Sequence, residues 1–391
     1  MEGTNMKRYI MALFAVILLV GASGNGVLAK EQSTKELVPN ASSAVLIERD
    51  TGKLLYDKNS HVKLPPASMT KIMTMILIME ALDEGKIKSN DAVRVSDYAA
   101  SMGGSQIFLE PGEEMTVHDL LKGIAIGSAN DGSVAMAEKI AGSEEAFVEL
   151  MNKKAKQLGL KETFFKNATG LPSAGHYSSA HDMAMMGREL LKHEEITKYT
   201  GLYEDFLRQN TKKKFWLVNT NRLVKFYPGV DGLKTGFTQE AKYCLTATAK
   251  KGDMRVIAVV MGAPNPKERN AQVTKMLDYA FSQYETKRLY DRYQIVQQVN
   301  VQKGSQPKLA AVTSESISVL NKKGDRNSEA KSVITLHNNI KAPIKKGQPV
   351  GELKIMQHGK VVTSSPLLAS EDVDSASWWR LFKRTISEMV H

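Results

Sequence analysis

Cysteine is nearly absent from this 391-residue chain, where Cys244 stands alone. One thiol closes no intramolecular disulfide and builds no multi-cysteine metal site, so the small disulfide-stapled scaffolds are excluded. Cys244 lies in the strand-like run Tyr243-Cys244-Leu245-Thr246, which predicts a buried structural thiol rather than a nucleophile. Zinc-peptidase spacing is missing too. There is no His-Glu-x-x-His, and His176 and His181 stand five apart, off both helical spacings. Zinc-finger, RRM and KH patterns are lacking, which makes nucleic acid the weakest partner for a formal net charge of +11. Acidic lipid or an acidic polymer suits that surplus better, unless it serves solubility alone. No internal repeat or strong low-complexity tract interrupts the chain.

What is present describes a folded protein of more than one part. Hydrophobic residues make up 42% and charged residues 24%, and the length suits two or three domains with a full core. Ile10–Val20 is an uninterrupted apolar run preceded by Lys7 and Arg8 and followed by Val27-Leu28-Ala29. That order reads as a secretory signal peptide over residues 1–29, short for a membrane span, with an uncleaved anchor as the alternative.

Residues 30–287 read as one α+β domain with an antiparallel sheet. Ser43–Ile47 and Leu54–Tyr56 are expected strands around the Asp50-Thr51-Gly52-Lys53 turn. After Pro65-Pro66, Ser68 is expected to open a helix whose Met69, Ile72, Met73, Ile76, Leu77, Met79 and Leu82 are apolar nearly all round, hence interior. Two short helices are expected over residues 116–141, the first capped by Thr116 with Asp119. Strands are expected over Gly232–Thr238, Leu245–Ala249 and Arg255–Met261, and a closing helix carries Val273, Met276, Leu277, Ala280 and Phe281. Residues 288–368 alternate as a small β-sandwich would, with no catalytic constellation. Over 369–391, Trp378, Trp379, Phe382, Ile386, Met389 and Val390 share one helical face while Arg380, Lys383 and Arg384 turn the other way. That pattern predicts an amphipathic helix on an anionic membrane surface or, failing that, one packed on the protein.

Three short motifs stand in order: Ser68-Met69-Thr70-Lys71, Ser128-Ala129-Asn130 and Lys234-Thr235-Gly236. Together they form a signature set of β-lactamases and penicillin-binding proteins. Singly they are weak, since Ser-x-x-Lys recurs at Ser60, Ser305 and Ser328. Context separates them: only Ser68 opens an apolar helix, and only Lys234 sits on a strand followed by two more. The chemistry suits the spacing. A serine hydroxyl needs a base beside it, and Lys71, three residues on, shares its helical face. Burial and a second cation, for which Lys234 is the candidate, would lower the Lys71 pKa enough for it to act as that base. The Ser68 backbone N–H at a helix start is a candidate oxyanion donor.

With Pro66-Ala67-Ser68-Met69-Thr70-Lys71, Gly103-Gly104-Ser105, Val230-Asp231-Gly232-Leu233-Lys234-Thr235-Gly236 and Val259-Val260-Met261-Gly262, the chain resembles the low-molecular-mass penicillin-binding proteins over almost its whole length. These are serine-type D-alanyl-D-alanine carboxypeptidases, and the likeness is to those of sporulating Gram-positive bacteria. The resemblance implies a transpeptidase-like catalytic domain, then a small all-β domain and an amphipathic tail. It implies Ser68 as acyl-ester nucleophile, Lys71 as proton acceptor and Ser128 as proton relay. Asn130, Lys234, Thr235, Gly236, the Phe237 backbone N–H and Arg269 would bind substrate; Phe237 replaces the more usual Tyr or His, and Arg269 could instead be a surface charge. It further implies a peptidoglycan pentapeptide stem as substrate and β-lactams as covalent inhibitors. No metal or cofactor is implied, and the location would be outside the cytoplasm, peripheral to the membrane. Oligomeric state stays open. So do three other readings: a β-lactamase, for which Glu162–Asn167 does not supply the usual Glu-x-x-Leu-Asn, a DD-endopeptidase, and a non-catalytic wall-binding scaffold.

Overall fold

The computed structural model describes residues 36–325 and 329–381. The expected signal peptide and residues 382–391 of the expected tail lie outside the described residues.

Five strands form the central sheet: β1 (Ser43–Glu48), β2 (Leu54–Lys58), β3 (Val230–Thr238), β4 (Lys242–Lys251) and β5 (Met254–Ala263). They lie in the order β2-β1-β5-β4-β3, each pair antiparallel. β1 and β5 are buried at nearly every position, odd and even alike. Successive strand residues point to opposite faces, so both faces of the sheet centre are covered. The β4–β5 turn passes through Gly252 at φ 59°, a left-handed conformation that glycine adopts without steric penalty.

The principal helices are α1 (Lys71–Asp83), α2 (Asn130–Ala141), α3 (Glu144–Gln157), α4 (Ala180–Leu190) and α5 (Pro266–Gln283). Every residue from Lys71 to Met79 is buried, so α1 runs through the interior as its all-round apolarity predicts. It packs against α2, α3 and α4, and α4 and α5 both lie on β5. Each large side chain buried there stabilises the fold by roughly 1.5–3 kcal/mol. The helices α3 and α4 were not anticipated, although both carry start signals. Ser143 accepts from the Ala146 N–H and Ser179 from the Asp182 N–H, which satisfies amides that a helix start leaves unpaired. Thr116 caps the short helix Val117–Lys122 as expected, accepting from the Asp119 N–H at 3.0 Å.

Between Tyr284 and Ala369 the regular elements of the described residues are all strands. Tyr284–Tyr290 pairs with Ile317–Lys322. A second five-stranded sheet runs Ile295–Asn300, Lys308–Thr313, Lys360–Ala369, Pro349–Gln357, Ala330–Leu336. Val299, Leu309, Val319, Leu353, Ile355 and Leu367 belong to a core of its own. Ser318 Oγ donates to the buried Asp50 Oδ2 at 2.7 Å and ties this part to the turn after β1. The α+β plan with a following all-β part therefore holds. Of the expected terminal helix only the turn at Trp378–Leu381 is described, with Trp378 and Trp379 both exposed.

Candidate active site

Ser68 sits in a tight turn, Ala67–Thr70, that leads into α1 rather than in the α-helix itself. Two glycines press against this turn. A Cβ on Gly236 of β3 would lie 2.7 Å from the Pro66 carbonyl oxygen and 3.2 Å from the Ala67 Cβ. One on Gly170 would lie 1.9 Å from the Ala67 carbonyl oxygen. No side chain fits at either place, so the absence of Cβ lets β3 and the 167–171 loop close on the nucleophile turn. Ala67 itself holds φ 48°. Behind the turn, Lys166 N donates to His176 Nδ1 at 3.2 Å, which assigns the ring proton to Nε2, 2.8 Å from Thr70 Oγ1. Burial pushes His176 down to about 4, so this brace is neutral.

Lys71 is fully buried. Its Nζ lies 2.6 Å from Asn130 Oδ1, 2.6 Å from the Thr169 carbonyl oxygen and 3.2 Å from Ser68 Oγ. Burial holds its pKa well below the usual lysine range; the Lys234 charge pushes the same way and Asp131 opposes both. Nζ donates to all three oxygens; loss of one proton frees a lone pair 3.2 Å from the Ser68 hydroxyl.

The second motif begins α2. A wide helical turn, Gly123–Gly127, ends at Ser128 in the left-handed conformation, φ 63° and ψ 32°. Its Oγ is buried with no hydrogen-bond partner. A strained backbone carrying an unsatisfied hydroxyl persists only where its surroundings enforce it, and such groups cluster at functional sites. Asn130 is held at both ends: Nδ2 donates to the Gly103 carbonyl at 2.7 Å while Oδ1 accepts from Lys71. The buried Asp131 carboxylate accepts from the backbone N–H groups of Ile107, Leu109 and Gly132 and so fixes the 103–109 segment.

The third motif lies on β3. Lys234 is buried and donates to the Thr235 carbonyl at 3.1 Å; burial and then the Arg269 charge push it down to about 7. Thr235 Oγ1 donates to Thr220 Oγ1 at 2.7 Å. Phe237 is exposed and stacks on Tyr243 with ring centroids 4.4 Å apart. Arg269, from α5, is buried rather than a surface charge, and burial lowers it only to about 10, so it stays cationic at neutral pH. A cleft of about 740 Å³ is lined by Ser68, Ser105, Ser128, Thr235, Gly236, Phe237 and Arg269 among others. Lys71, Asn130 and Lys234 stand behind that wall. All nine residues singled out in the sequence thus meet in one place.

Several contributors were not foreseen. The Thr169 carbonyl, Gly170 and Asn167, whose Oδ1 accepts from the Thr169 and Gly170 N–H groups, build the loop that holds Lys71. Asn-Ala-Thr-Gly is a legible turn signal, but nothing in it names a partner. Glu162, at the head of the run that lacks the Glu-x-x-Leu-Asn pattern, lies 3.5 Å from His61 Nδ1. Cys244 is buried as expected and pushed up to about 11 by desolvation, which suits a structural thiol.

This geometry has close relatives. The family model described as D-alanyl-D-alanine carboxypeptidase matches residues 30–265, and that described as Penicillin-binding protein 5, C-terminal domain, matches residues 284–375. The chain is 63% identical over 384 residues to D-alanyl-D-alanine carboxypeptidase DacF of Bacillus subtilis (strain 168), covering 98% of this chain and 99% of that one. Penicillin binding protein 5 from Haemophilus influenzae superposes with a TM-score of 0.66 at 32% identity, covering 86% of this chain and 98% of its own. Penicillin-Binding Protein D2 from Listeria monocytogenes, solved in a cefotaxime-bound form, matches at 30% identity with a TM-score of 0.54, covering 62% of this chain and 97% of its own.

Proposed function

The chain belongs to the D-alanyl-D-alanine carboxypeptidase family, and on that premise we propose that Ser68 is the nucleophile that removes the terminal D-alanine from peptidoglycan pentapeptide stems. The observation that carries this reading is the environment of Lys71. Lys71 Nζ is fixed by Asn130 and Thr169 at 3.2 Å from Ser68 Oγ, and burial lowers its pKa, so it is placed to exchange a proton with that hydroxyl.

In this mechanism Lys71 takes the Ser68 proton as Oγ attacks the carbonyl between the two D-alanines. The backbone N–H groups of Ser68 and Phe237 receive the oxyanion. Ser128, whose hydroxyl is otherwise unpaired, passes a proton to the departing D-alanine nitrogen. Water then attacks the Ser68 ester, releases the shortened stem and restores the hydroxyl. Asn130 orients both Lys71 and the substrate amide, while Lys234, Thr235 and Arg269 hold the terminal carboxylate. Gly236 lets β3 lie close enough for the substrate to run beside it. A β-lactam would acylate the same oxygen.

The site of action would be the outer face of the cytoplasmic membrane, in cell-wall or spore peptidoglycan. The signal-like N-terminus and the exposed Trp378 and Trp379 support that placement. No helix among the described residues is long and apolar enough to cross a membrane. Loss of liposome binding on deletion of residues 371–391 is the expected result; unchanged binding would rule out the tail as the contact.

The function itself is tested by D-alanine release from diacyl-Lys-D-Ala-D-Ala, beside a Ser68→Ala control. Release by the wild type alone is expected. Release by both would mean another nucleophile, and release by neither would favour the endopeptidase or scaffold reading.

A further inference from the structure

We propose a Zn²⁺ site, separate from the catalytic cleft, formed by His61, Glu162 and His181. Three elements bring these residues together: the segment between β2 and the Ser68 turn, the stretch that follows α3, and the first turn of α4. One ligand atom from each lies within 4.8 Å of the other two. The His61 and His181 rings stack with centroids 4.5 Å apart, and His61 Nδ1 faces Glu162 Oε2 at 3.5 Å.

Two imidazoles and a carboxylate are a donor set that suits zinc, whereas calcium and magnesium prefer oxygen alone. Tetrahedral ligands at zinc sit about 3.3 Å apart, given bonds of about 2.0–2.1 Å. The cluster must therefore tighten by an ångström or so, which the exposed His61 side chain permits. The support behind the ligands is already built. His181 Nδ1 lies 3.2 Å from Asp182 Oδ1, so Nε2 is the nitrogen left to take the ion, an arrangement common to zinc-bound histidines. Asp182 is itself buried, and its Oδ2 accepts from Thr163 Oγ1 at 2.8 Å and from the Glu162 N–H at 2.9 Å. One carboxylate thus fixes both a ligand ring and the backbone of a second ligand. A water would complete the tetrahedron.

The position gives the ion a consequence. Leu64, between His61 and Ser68, exchanges two backbone hydrogen bonds with Ser178. The chain from Glu162 leads to Thr169 and Gly170, which hold Lys71 and the nucleophile turn. Zinc would cross-link these segments at the edge of the catalytic scaffold without touching a reacting group.

The test is titration of the metal-free full-length protein with ZnCl₂, read by calorimetry and by thermal unfolding, with MgCl₂ as control. One equivalent of zinc should bind, and the melting temperature should rise with zinc concentration as ligand linkage requires. Magnesium should do neither. His61→Ala and Glu162→Gln should each weaken zinc binding by about tenfold or more. His61 is exposed, so its variant should fold normally, and an unchanged zinc-free melting temperature would verify that. Cobalt(II) should give the visible bands of a tetrahedral complex in the wild type and lose them in His61→Ala. Absence of both heat and thermal shift with the wild type would overturn the site, as would zinc binding that His61→Ala leaves unchanged.

Discussion

The two halves of this molecule treat buried charge differently. Before Tyr284 the interior contains Glu48, Asp50, Lys71, Asp131, Asp182, Lys234 and Arg269, among others. After it, the buried polar side chains among the described residues are Thr313, Ser318, Asn321 and Ser365, all neutral. Desolvating an ion costs several kcal/mol unless it is well paired, so a fold that needs only to hold together avoids it, as the β part does. In the catalytic part three basic side chains are buried together instead. Burial lowers Lys234 and Lys71 most; the Arg269 charge adds to the first shift and the Lys234 charge to the second. On the proposed mechanism that makes Lys71 a base.

That contrast can be broken most severely at the nucleophile and its base. Ser68→Ala should lower D-alanine release by about 10⁴-fold or more, and Lys71→Met by about 10²–10⁴-fold. Mass spectrometry after incubation with a penicillin should find no adduct in the first and a slowly formed one in the second. Gly236→Ala should follow, because a methyl 2.7 Å from the Pro66 carbonyl must displace either β3 or the Ser68 turn. A loss of about 10²-fold in kcat/KM is expected, read by the same release assay.

Lys234 sharpens the comparison by separating stability from activity. Its pKa is about 7 in the fold against a usual 10.5. Between those values the unfolded chain binds the extra proton, so this group makes stability rise with pH. Lys234→Met should abolish that rise and stabilise the protein at neutral pH by about 1–4 kcal/mol while activity collapses; urea unfolding at several pH values measures it. Ser318→Ala probes the other half. Loss of its bond to Asp50 should cost about 1–3 kcal/mol and leave kcat/KM unchanged, since no catalytic group is touched.

Much of the catalytic half was legible because its chemistry is carried by side-chain identity. Ser68, Lys71, Ser128 and Lys234 announce themselves by type, spacing and the apolar run that follows. Thr169 could not be found that way, because it acts through its carbonyl, which every residue possesses. Gly170 and Gly236 matter through the side chain they lack, and only the close approach of the Ala67 and Pro66 backbone shows why. Ser143 and Ser179 mark the starts of α3 and α4, but lysine and glutamate dilute the apolar periodicity of α3, and α4 is short. His176 and His181, five apart, share no helical face, and the partner that His181 has in space, His61, is 120 residues away in sequence. The β part was legible from alternation alone, its sheet order was not, and the outer tail lies outside the described residues.

The central claim, that Lys71 meets its substrate as a neutral amine, is tested most directly by the pH dependence of acylation. The second-order rate of penicillin attachment at Ser68 should reach its plateau well below the usual lysine value of 10.5 and decline as Lys234 loses its proton above about 7. Arg269→Gln should move that decline to higher pH by removing the charge that adds to burial in depressing Lys234. A rate that keeps climbing until an ordinary lysine titrates would show Lys71 to be charged in the free enzyme and would contradict the account.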